Sequence, residues 1–283
     1  MAVVIICVLL VLAGIVAVIR WGDLSVQPPP ALEADAATRP PLGLVVRRYL
    51  WYATVALTSG FGAGILAAGA GGRLAMRLLA VTAGPDAQGR TTEAAEIVGR
   101  ISVDGTIGFF VFVGVFAGLL TAAAYLLLRR WLPGGRAGGL VFGALLLVVA
   151  GTRVDPLRDN NPDFSLVGPP WLAVTAFVAL GLFHGMVVAA LAGRYSRALP
   201  LVGAQPRAIA AYAPLLLLIP LFLAIPVIVA LGFLAILASQ TRPLLAVWHD
   251  RRAVAAGRIV LAAAGLVALP GFVSALASIL NPT

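Results

Sequence analysis

The 283 residues are 61% hydrophobic and 11% charged, with a mean hydropathy of +1.03. Soluble domains carry about 25% charged residues, so this supply excludes an ordinary water-exposed surface. The net charge of +9 comes from arginines in short flanks beside apolar runs. That pattern suits lipid headgroups and supplies no basic domain or stripe for a duplex, so no nucleic-acid partner is expected.

Seven uncharged runs of 16 to 34 residues account for most of the chain, with the five tryptophans near their ends. All 20 basic residues are arginine, which with the richness in Ala, Gly, Pro and Val points to a GC-rich bacterial genome. Cys7 stands alone, so an intramolecular disulfide and a cysteine-cluster metal site are both excluded.

The first run, Ala2–Ile19, has 18 uncharged residues, about enough for a crossing. It lacks a basic n-region and a small-x-small cleavage site, so residues 1–21 read as an uncleaved transmembrane anchor. Arg20 follows it, which places the Ala2 end outside. Residues 22–42, with Pro28-Pro29-Pro30 and Pro40-Pro41, read as an extended or disordered linker that leaves the anchor loosely packed. Residues 43–283 form the multi-pass domain.

Tyr49–Gly72 and Gly105–Leu128 are the second and third runs. Between them, Arg73–Ala83 is expected to continue as helix as far as Gly84-Pro85. Arg100–Asp104 alternates polar and apolar residues and predicts a short strand and turn. Ala137–Thr152 has only 16 residues, the length of either a short crossing or a re-entrant segment. An acidic loop, Asp155–Asp163, precedes the run that opens at Pro170 and ends at Gly193. Ala208–Thr241 would reach about 50 Å as one helix against a hydrocarbon core of roughly 30 Å. Pro214, Pro220 and Pro226 predict that it is kinked or broken. The last run, Ile259–Leu280, contains Pro270-Gly271, a kink signal. The fold class is therefore all-α integral membrane: a polytopic bundle of six or seven transmembrane helices, one broken or re-entrant.

Orientation depends on that irregular element. Seven strict crossings divide the arginines 10 against 10, and the positive-inside rule is then silent. A re-entrant 137–152 gives 13 against 7, and a 208–241 segment that turns back gives 14 against 6. The even split itself argues for one irregular segment.

Small residues recur four apart at Gly60 and Gly64, at Gly114 and Gly118, and at Gly181, Gly185, Ala189 and Gly193. Such stripes let helix backbones approach closely, within one chain, in a homo-oligomer or against a membrane-protein partner.

Three side chains stand out as candidate binding residues. His184 is the ionisable group well inside a run, beside the Gly181/Gly185 stripe, with Thr175 and Ser59 as conceivable hydrogen-bond partners. Arg73 and Arg77 are four apart, hence on one helical face, and two guanidinium forks there suit a phosphate or carboxylate. The bland alternative is a pair of arginines snorkelling to headgroups. The Asp155–Asp163 loop lacks the spacing of an EF-hand and reads as Asx turns with Asp–Arg pairing.

Enzyme signatures fail on inspection. Gly60-Phe61-Gly62-Ala63-Gly64 lies inside an apolar run with no strand before it, unlike a dinucleotide loop. Ser59 stands in Leu57-Thr58-Ser59-Gly60, not the Gly-x-Ser-Gly of rhomboid proteases. Glu96-x-x-x-Arg100 has Ala95 where CAAX-type proteases carry a second glutamate. No catalytic residue, cofactor or metal site is expected. The chain reads as a non-enzymatic multi-pass protein or accessory subunit of a bacterial cytoplasmic membrane, its first partner the lipid bilayer. The alternatives are a small-solute transporter using a broken helix around 208–241, and a lipid-phosphate-binding protein using Arg73 and Arg77.

Overall fold

The computed structural model describes residues 1–29, 41–94, 96–153, 157–158, 160–203, 205–218, 232 and 250–281. Eight α-helical elements appear among them. They are α1 (Ala2–Trp21), α2 (Leu42–Thr82), α3 (Val103–Leu128), α4 (Gly135–Gly151), α5 (Asp163–Leu166), α6 (Pro170–Ala198), α7 (Pro206–Ala210) and α8 (Arg251–Leu280). Five of these (α1, α2, α3, α6 and α8) are long and apolar enough to cross a membrane, and α4 is a shorter apolar helix. Three helices contain a π-helical turn: Gly64–Gly69 in α2, Phe110–Val115 in α3 and Leu147–Gly151 ending α4. Most of the run 208–241 lies outside the described residues, beyond α7 and a 3₁₀ segment at Ala213–Leu218. The Pro-rich residues 30–40 lie outside them as well.

No strand occurs among the described residues. The expected strand at Arg100–Asp104 is instead the approach to α3, because the Ser102 side chain caps the helix by accepting from the Gly105 N–H at 3.2 Å. That bond satisfies one of the orphan donors of the first turn. Residues 91 and 97 form only an isolated bridge. The expected continuation of α2 past Arg73 holds, and Gly84 ends it with a left-handed φ of 79°. Pro270 is accommodated inside the continuous α8.

Glycine seams set the packing. A Cβ on Gly60 would stand 2.7 Å from the Gly118 carbonyl oxygen, and one on Gly114 would stand 2.8 Å from that of Gly64. Thus α2 and α3 meet backbone to backbone along the two predicted stripes. The stripe of α6 finds Gly139 and Gly143 of α4: a Cβ on Gly185 would lie 2.6 Å from the Gly139 oxygen, and one on Gly143 2.7 Å from the Gly181 oxygen. Further along, Gly193 packs on the backbone of Leu24. Between the seams the core fills with Trp51, Val55, Tyr125, Phe142, Val187 and Leu191. Van der Waals contact replaces a hydrophobic driving force at such interfaces.

The outside of the bundle is apolar instead. Leu9 and Leu12 on α1, Phe112 and Leu120 on α3, and Leu266 and Val267 on α8 are all exposed. In water, leaving each uncovered would forgo about 1.5–3 kcal/mol of burial; such faces are compatible with a bilayer.

Contacts at the two ends fix the relative direction of each helix. At one end Arg129, after α3, donates to the Val26 carbonyl at 3.1 Å and to the Tyr52 hydroxyl at 2.9 Å. There also Gln27 N–H donates to Ser196 Oγ, the Trp51 indole donates to the Leu199 carbonyl, and Arg136 pairs with Asp23. Residues 22–29 are therefore strapped across the helix ends, and α1 is not loosely held: Gly14 packs on Phe183 and Cys7 is buried. At the opposite end Arg158 pairs with Glu93, and the Glu93 N–H donates to Asp163 at 2.9 Å. The loops 83–102 and 152–169 thus meet, so α4 runs the full way between the two ends. Gly257 of α8 packs on Trp131 at the first end, while Phe272 and Leu276 pack with Leu79 and Phe164 at the second. Accordingly α6 finishes and α8 starts at the same end.

This arrangement sorts the charges. Arg20, Arg47, Arg48, Arg129, Arg130, Arg136, Arg194, Arg197, Arg207, Arg251, Arg252 and Arg258 gather at the first end, with Asp23 and Asp250. The second holds Arg73, Arg77, Arg90, Arg100, Arg153 and Arg158, with Asp86, Glu93, Glu96, Asp104 and Asp163. These are called below the basic end and the mixed-charge end.

Candidate functional site

His184 is buried between α6, α3 and α2, with 7% of its surface exposed. Its Nε2 lies 2.8 Å from Thr121 Oγ1, a contact across 63 positions of sequence. Neither partner suggested by sequence is used. Ser59 Oγ donates to the Val55 carbonyl at 2.6 Å, and Thr175 Oγ1 donates to that of Trp171 at 2.8 Å. Short hydroxyl side chains in helices bond back one turn in this way. Thr121 does the same to Ala117 at 2.7 Å, but its oxygen remains able to accept, which leaves it available to the imidazole. Among the described residues the Nδ1 atom has no hydrogen-bond partner, no carboxylate or second imidazole joins the ring, and no group of His, Cys, Asp or Glu could hold a metal ion.

Arg73 and Arg77 sit one turn apart on α2 at the mixed-charge end, both half-buried. The guanidinium of Arg73 stacks over Phe109 of α3 at 5.2 Å from the ring centroid, a cation–π contact. Its Nε is buried without a hydrogen-bond partner. Arg77 donates from Nη1 to the Gly99 carbonyl at 3.2 Å. Neither arginine has a carboxylate partner among the described residues; the ion pairs there are Arg136–Asp23 and Arg158–Glu93. His184 is not part of this group, so the three candidate residues make two separate places.

The acidic loop is only partly described. Asn161 Oδ1 accepts from the Asp163 N–H at 2.9 Å, an Asx turn, and Arg158 pairs with Glu93; Asp155 and Asp159 lie outside the described residues. A shallow apolar depression lined by Leu57, Thr58, Phe61, Gly62, Tyr195 and Pro214 contains no charged group. Two participants were not singled out from sequence: Thr121, a neutral residue in an apolar run, and Phe109, one of many aromatic residues. No family model, curated protein or solved structure matches this chain.

Proposed function

We propose that the protein is a non-enzymatic multi-pass subunit of a bacterial cytoplasmic membrane. The observation that carries this reading is the closure of the bundle on its own backbone at the Gly60–Gly118 and Gly139–Gly185 seams. An interior packed in this way offers little room for a substrate. Its buried imidazole is held by Thr121 and has no acid, base or metal-ligating partner beside it among the described residues. Catalysis requires a nucleophile, base or electrophile in mutual reach, and no such set occurs among the described residues.

Six crossings follow from the same reading, formed by α1, α2, α3, α4, α6 and α8, with the basic end inside by the positive-inside rule. The division of arginines between the two ends supports this orientation. It agrees with the sequence count in which 208–241 turns back. The Ala2 end of α1 and the Leu280 end of α8 then both face outside. Arginine without lysine supports a GC-rich bacterial source.

Native mass spectrometry of the protein extracted from its own membranes in mild detergent tests the subunit role. A stoichiometric protein partner is the expected result. A lone monomer would count against it.

A further inference from the structure

We propose that Arg73 and Arg77 hold the phosphate of a membrane lipid at the mixed-charge end of the bundle. The inference rests on the membrane reading above and goes beyond it. Stacking on Phe109 occupies the face of the Arg73 guanidinium and leaves its in-plane donors unused, including a buried Nε with no acceptor. Leaving such a donor unmet is unfavourable, more so on a charged group. Arg77 uses one donor on Gly99 and keeps the rest, since a guanidinium carries five N–H groups.

Two acids at this end are engaged elsewhere. Glu93 is held by Arg158, and Asp163 by the Glu93 N–H. The pair is thus a cationic edge with no carboxylate partner among the described residues, on one helical face and one turn apart. Two forks at that spacing match the oxygens of a phosphodiester. Exposed Met76, Leu78, Ile107 and Phe112 occupy the same two helix segments. A ligand with acyl chains below its phosphate satisfies both the charge and this apolar surround; a free anion satisfies only the first.

The test titrates phosphatidylglycerol onto detergent-purified protein and reads bound lipid by native mass spectrometry. Wild type is compared with R73Q/R77Q, with R73K/R77K, and with R90Q/R100Q as a control for charge at the same end. The expected result is one retained lipid per chain. Its affinity falls about tenfold or more in R73Q/R77Q, falls several-fold in R73K/R77K, which keeps charge but loses the fork, and is unchanged in the control. Unaltered binding in R73Q/R77Q, or an equal loss in the control, overturns the proposal while leaving the membrane reading intact. Should R73Q/R77Q fail to fold, R73K/R77K decides, and wild-type affinity there overturns it. Displacement of the lipid by millimolar inorganic phosphate would make this a free-anion site and overturn the lipid assignment. Release of the wild-type protein from membranes by alkaline carbonate would remove both readings together.

Discussion

Substituting Gly118 by alanine adds one methyl group to the α2–α3 seam, and the structure dictates what that methyl meets. It would stand 2.7 Å from both N and Cα of Gly64 and press on the Gly60 carbonyl oxygen. All three are backbone atoms of a helix, so no side chain can rotate away. Overpacking of this kind costs about 1–3 kcal/mol, and separating the helices also weakens close Cα–H···O contacts worth about 0.5–1 kcal/mol each. Alanine returns about 1 kcal/mol through helix propensity. The net expectation for Gly118→Ala is a destabilisation of about 2 kcal/mol.

Gly108 provides the internal control, because it lies in the same helix and a Cβ there meets nothing within 4 Å. Gly108→Ala should stabilise by up to about 1 kcal/mol, leaving the two variants roughly 3 kcal/mol apart. Reversible unfolding in mixed micelles, followed by tryptophan fluorescence, measures the difference. Variants within about 0.5 kcal/mol of each other would refute the claim that this seam is closed by backbone contact.

Other expectations concern polar contacts and sidedness. Thr121→Val keeps the shape but leaves His184 Nε2 unpaired, at a cost of about 1–3 kcal/mol; Thr121→Ser should recover most of it in the same unfolding assay. Arg129→Leu removes the bonds to Val26 and Tyr52, so amide exchange of residues 22–29 should quicken while that of the α6 core is unchanged. Asp23→Asn should alter stability by less than about 0.5 kcal/mol, since its pairing with Arg136 is solvent-exposed. In a Cys7→Ser background, single cysteines at positions 207 and 251 should label from one side of the membrane and a cysteine at 153 from the other. Labelling of 251 with 153 would contradict the direction given to α8.

The parts of this fold written as a period were legible before any coordinates. Gly60, Gly64, Gly114 and Gly118 announce a close seam because four-residue spacing places them on one stripe. Gly139 and Gly143 share that spacing, but they lie in a run of only 16 uncharged residues, whose length is a stronger signal than its face. The Arg73–Ala83 extension was readable from its glycine stop. Arg100–Asp104 resembles a strand through its alternation over five residues, whereas the Ser102 hydroxyl three residues before the Gly105 N–H is a helix cap. For the candidate residues, spacing gave the Arg73–Arg77 pairing and nothing more. That Phe109 lies beneath Arg73, that Thr121 rather than Ser59 meets His184, and that Glu93 meets Arg158 are facts of tertiary approach. A period within one segment does not encode them.

The π turn at Gly64–Gly69 makes chain length forgiving at one point of a helix, where helices usually absorb substitutions but not deletions. Each α-helical residue advances the chain by about 100° around the axis, and a π turn admits roughly one residue more than a plain α-helix. Removing Ala68 should therefore regularise α2 while its first half, through Gly60, stays locked against Gly118. Everything after the deletion would keep its facing, with Arg73 still over Phe109 and Arg77 still beside Gly99, whereas losing a residue from a plain α-helical stretch would swing both by about 100°. The π turn thus marks the place in this apolar helix where one codon can be lost without turning the arginine pair.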